Sequence, residues 1–97
     1  MNQEQADAYD REAGIIAAAI LPSLPVEART YIESVLDIGD PAFAVDLVLQ
    51  DAIEFDLVIP AGIRDHIDAF LEVLPDTAPD GDRIRQWTEQ VKFQVAA

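Results

Sequence analysis

Between its prolines and glycines, this chain repeats apolar residues at intervals of three and four, the period of a helix face. From Gln3 to Ile20 the stripe is Ala6, Tyr9, Ala13, Ile16 and Ile20, and Pro22 and Pro25 break it. Asn2 is placed to cap this segment, with Gln5 at the reciprocal capping-box position and acids in the first turns. A second segment starts at Ser23 or Leu24. Pro25 sits in its first turn, where a missing N–H costs nothing. Ala28, Tyr31, Ile32, Val35 and Leu36 form its stripe, and Gly39 suits the left-handed position past its end.

Asp40-Pro41, a cap followed by a first-turn proline, opens a third segment that runs to about Phe55. Asp46, Gln50 and Glu54 fall at i, i+4 and i+8, with Asp51 beside them, and nearly everything else is apolar. Such a helix must be covered on several sides, so it is expected at the centre of the fold. Leu57 to Ile59 is short, and with no second strand in view it is expected to be an extended connection. Pro60 opens a fourth segment with Ile63, Ile67, Phe70, Leu71 and Leu74 as its stripe. A turn-rich loop covers Pro75 to Asp80. The fifth segment spans about Gly81 to Val95, capped by Asp80, with Ile84, Trp87, Val91 and Val95 facing inward. The expectation is an all-α fold, a single domain over 1–97 made of about five amphipathic helices.

Charge narrows the partners. Nineteen Asp and Glu stand against six Lys and Arg, a formal net charge of -13. Each phosphate contact needs a cation, so neither nucleic acid nor an anionic membrane is an expected partner. A basic protein surface is the natural complement. Cysteine is absent, which removes disulfides, thiolate zinc sites and cysteine nucleophiles together. The longest apolar run, Gly14 to Leu21, is far below the roughly 20 residues of a spanning helix. Glu4, Asp7, Asp10 and Glu12 replace the positive start of a secretory signal, so a cytoplasmic location is expected.

Little in the sequence suggests catalysis. His66 is the single histidine, and no spacing ties it to Ser23, Ser34, Thr30, Thr77 or Thr88. It is expected as a rim residue near carboxylates. The Asp76–Asp82 loop fails as a calcium loop: Ala78 and Trp87 occupy the third and twelfth positions, where carboxylates belong. Pro22-Ser23-Leu24 lacks the aspartate of the acyl-carrier Asp-Ser-Leu motif, and Ser23 is read as a cap. No enzyme, cofactor or metal is expected, and Trp87 is expected in the core.

The run Gly39-Asp40-Pro41-Ala42-Phe43-Ala44-Val45-Asp46-Leu47-Val48, continued by Glu54-Phe55-Asp56-Leu57, resembles the MafI-type immunity proteins, small acidic bacterial partners of secreted polymorphic toxins. Their pattern joins glycine, an acid and proline to an aliphatic-Ala-aliphatic-acid helix, which ends in an acid-aromatic-acid-aliphatic turn. Gly39, Asp40, Pro41, Ala44, Val45, Asp46, Glu54, Phe55 and Asp56 match it. This chain departs from the pattern where Val58 and Ile59 precede Pro60. The resemblance covers roughly 20–75 and implies a non-enzymatic protein that binds and neutralises, in the cytoplasm, a cognate toxin with a basic surface, such as a nuclease. A different class, a small acidic adaptor or regulatory module, shares the same composition.

The expected partner-binding residues follow from charge and that resemblance. The third segment offers Asp46, Gln50, Asp51 and Glu54, all read as exposed, and Asp56 follows in the next loop. The fourth adds Asp65, Asp68 and Glu72. A short connection between these two helices suggests antiparallel neighbours, which would place the acids on one side.

Overall fold

A computed structural model describes residues 2–95. Five helices form an all-α bundle: α1 (Gln3–Ile20), α2 (Val26–Asp37), α3 (Pro41–Glu54), α4 (Ile63–Val73) and α5 (Asp80–Gln90). A single 3-10 turn at Leu21–Ser23 joins the first two, where Pro22 stops α1. The Asn2 side chain accepts the Gln5 N–H at 2.8 Å, and Gln5 Oε1 accepts the Asn2 N–H at 3.1 Å, completing the capping box. Gly39 takes φ +83°, a conformation a side chain would strain, and ends α2. Asp40 Oδ1 accepts the Phe43 N–H at 3.3 Å and starts α3.

Helix α3 is central, packing against α1, α2 and α5, while α4 packs chiefly on α1. Val45, Val48 and Leu49 of α3 belong to one core cluster with Ile16 of α1, Ile32 of α2, Ile67 and Phe70 of α4, and Ile84 of α5. Tyr9 stacks on Phe70 with ring centroids 5.1 Å apart. Burial raises the Tyr9 phenol above its usual range. A hydrogen bond from the Ala42 backbone opposes that rise, and the charges of Asp40, Asp80 and Asp10 add to it. Among the described residues, no helix is long and apolar enough to cross a membrane.

The C-terminal segment differs from its sequence reading. The spacing of Trp87, Val91 and Val95 continues the helical period, yet α5 ends at Gln90 and Val91 is extended. Lys92–Phe93 (β2) instead pairs in parallel with Val58–Ile59 (β1), Val58 opposite Lys92 and Ile59 opposite Phe93. The Gln94 N–H adds a bond to the Ile59 carbonyl at 2.8 Å. A partner for the β-branched pair therefore exists, 34 positions away, in residues whose pattern mimics a helix. Val95 is exposed as a consequence. Asp80 is the first residue of α5 and makes no capping bond; its carboxylate turns to Arg83.

Candidate functional site

Asp46 is not on the surface. It is 1 % exposed, buried in α3 where α5 packs across it. The polar row Asp46, Gln50, Glu54 runs obliquely along α3, so it passes from buried through half-buried to exposed. Burial of this carboxylate is stabilised by three donors. Trp87 Nε1 and Gln50 Nε2 donate to Oδ1 at 2.6 and 2.9 Å, and Arg83 Nε donates to Oδ2 at 2.7 Å. Arg83 Nη2 also donates to Asp80 Oδ1 at 2.5 Å. The bond to Asp46, then its charge, raise the Arg83 guanidinium further above its ordinary value. Burial raises Asp80, against the opposing pull of Arg83. Among the described residues no buried side-chain polar atom lacks a partner, so this network is closed. It fastens α5 to α3. Trp87 is half-buried and serves as a donor as well as packing on the core.

The remaining acids stay at or near the surface. Glu54, Asp56, Asp65, Asp68 and Glu72 are exposed, and Gln50 and Asp51 are half-buried. The expected packing of α3 against α4 as antiparallel neighbours is not found. Helices α3 and α4 both pack on α1 and make little contact with each other. The α3 group is Asp51 and Glu54; burial, then the nearby Glu54 charge, raise the Asp51 carboxyl above its usual range. Asp56, at φ 54°, is paired with Lys92 Nζ at 2.6 Å.

His66 lies at the α1–α4 contact. Its Nδ1 is 2.6 Å from Oε2 of Glu12, a buried carboxylate whose other oxygen is 3.6 Å from Arg11 Nε. Helical spacing alone did not mark Glu12 as an interior residue. The hydroxyls of Ser34 and Thr88 donate to the Tyr31 and Ile84 carbonyls, and no hydroxyl hydrogen-bonds to His66 among the described residues. Nor is there a group of three side chains arranged to hold a metal ion among those residues.

Helix α2 has a second surface that the sequence reading missed. Tyr31, expected on the buried stripe, is 55 % exposed, with Val26 and Ile38 also exposed on the same helix and its C-cap. Tyr31 is displaced by one residue, about 100° of helix turn, from the buried Ile32. That offset was the available signal. Val26, Glu27, Thr30, Tyr31 and Ser34 line an open groove of about 480 Å³.

No protein-family model, curated protein or solved structure matches this chain.

Proposed function

We propose that this chain is a cytoplasmic immunity protein that binds and neutralises a basic toxin domain, without catalysis of its own. The supporting observation is its excess of exposed carboxylate over base, within a formal charge of -13. Asp51 and Glu54 on α3, and Asp65, Asp68 and Glu72 on α4, make no ion pair among the described residues. A basic partner would supply the missing cations and speed its own encounter, since complementary charge raises association rates toward about 10⁸–10⁹ M⁻¹s⁻¹ at low salt. The resemblance of 39–57 to the MafI-type pattern supplies the toxin half of the reading. In this reading Asp46, Gly39 and Pro41 maintain the fold, and the partner meets the exposed acids.

Co-expression tests it. The toxin to use is the basic C-terminal domain of a large secreted protein, where the neighbouring gene encodes one. Growth restored by this chain, and a complex that co-purifies at low salt, are expected. A toxin that kills equally well with the chain present, at matched expression, contradicts the proposal.

A further inference from the structure

The geometry points to the exposed face of α2 as the docking site for a partner segment that is both basic and apolar, with Tyr31 as its anchor. This rests on the reading of the chain as a binder of a basic protein, and it names a surface outside the acids of α3 and α4. Four observations carry it. Helix α2 packs principally on α3, so among the described residues no element covers the opposite side of this 12-residue helix. Three of the six large apolar residues exposed among the described residues, Val26, Tyr31 and Ile38, lie on this helix or its C-cap. Thr30 and Ser34, both small, leave the groove between Val26 and Tyr31 open to an inserted side chain. Glu27, Glu33 and Asp37 border the same surface, and Arg29 is the one base on the helix.

That rim selects the occupant. Apolar anchors within a charged border are the usual anatomy of a protein contact, and tyrosine is enriched among the residues that dominate binding. Carboxylates on the border require lysine or arginine opposite. A second copy of this chain would bring carboxylates against carboxylates, on top of the repulsion between two chains of formal charge -13. A basic amphipathic helix meets both demands, its apolar stripe over Thr30 and its cations against Glu27 and Asp37.

A defined probe suffices. The full chain, isotopically labelled, is titrated with a 15-residue helical peptide of leucine and lysine, the leucines on one face. A control peptide keeps the lysines and replaces the leucines by alanine. Amide shifts at Val26, Thr30, Tyr31 and Ile38 are expected with the first peptide, and at least tenfold weaker binding with the control. Tyr31→Ala should weaken the leucine peptide at least tenfold, while Glu54→Lys changes it less than threefold. Both sites are exposed, and unchanged amide spectra elsewhere verify the fold. Shifts centred on Asp51 and Glu54, or equal binding of the two peptides, would overturn the α2 site and leave the basic-partner reading standing. Binding of neither peptide at low salt would overturn both. Tyr31-dependent self-association in light scattering would show that a second copy is the occupant and overturn the assignment to a basic segment.

Discussion

Trp87 Nε1 donates a hydrogen bond of 2.6 Å to Oδ1 of Asp46, joining α5 to a carboxylate that is 1 % exposed in the central helix. Arg83 and Gln50 add two further donors, so three side chains hydrogen-bond this buried carboxylate. The arrangement makes Asp46 a fold determinant. Trp87→Phe, which deletes the N–H and part of the indole, should lower stability by about 1.5–3 kcal/mol, the range for a hydrogen bond to a charged group. Asp46→Lys should unfold the chain, because it buries a cation against Arg83. Denaturant titration of both variants checks this; an Asp46→Lys protein with unchanged stability would place Asp46 outside.

The core makes a graded expectation. Ile67 is fully buried, and Ile67→Ala should lower stability by about 2–5 kcal/mol. Leu47 packs against the core from its margin and is only partly buried. Leu47→Ala should therefore fall below that range, at about 1–2 kcal/mol, since less apolar surface is returned to water. Thermal melts of the two variants, compared side by side, should show the larger drop for Ile67.

Much of this fold was legible from apolar spacing, since α1, α2, α3 and α4 each bury the stripe the sequence marks, Tyr31 excepted. Three caps were legible, Asn2, Asp40 and Gly39, whereas Ser23 falls in the 3-10 turn and Asp80 opens α5, and neither caps a helix. The β1–β2 pairing was not, because two-residue strands carry no period, and Lys92-Phe93 lies within a pattern that reads as helix. Asp46 was misread for a related reason. Polar spacing gives the azimuth of a residue on its own helix, whereas burial depends on which element crosses there, and α5 crosses at Asp46. The chain's acidity was plain in its composition, but the separation of α3 from α4 needed three dimensions.

Asp51 and Asp80 carry a pH signature. Burial raises both carboxyls from the ordinary value of 3.8, so the folded state holds their protons to higher pH than the unfolded chain. In that window the folded state binds more protons, and stability from these two groups falls as pH rises from 3.8 through the raised folded values. Asp51→Asn should then be neutral or slightly stabilising at neutral pH, by at most about 0.5 kcal/mol, since solvent screens a half-buried group. Its advantage should vanish below 3.8, where wild-type Asp51 is protonated in both states. Chemical denaturation at pH 3 and pH 7 measures the difference; an advantage confined to the acid side would reverse the sign argued here.

Glu12 and His66 form a second polar link between helices, at 2.6 Å across α1 and α4. His66 is partly exposed, which screens the contact. A double-mutant cycle of Glu12→Gln and His66→Ala should give a coupling of about 0.5–1 kcal/mol. Strictly additive losses would show that the two residues do not interact in solution.

The central claim, that this acidic chain binds a basic protein, is tested most directly by calorimetric titration with the basic toxin domain proposed as its partner, at low and at physiological salt. A one-to-one complex is expected, with an affinity that falls as salt rises because paired surface charges are screened. Absence of a complex at low salt, or an affinity indifferent to salt, would contradict it.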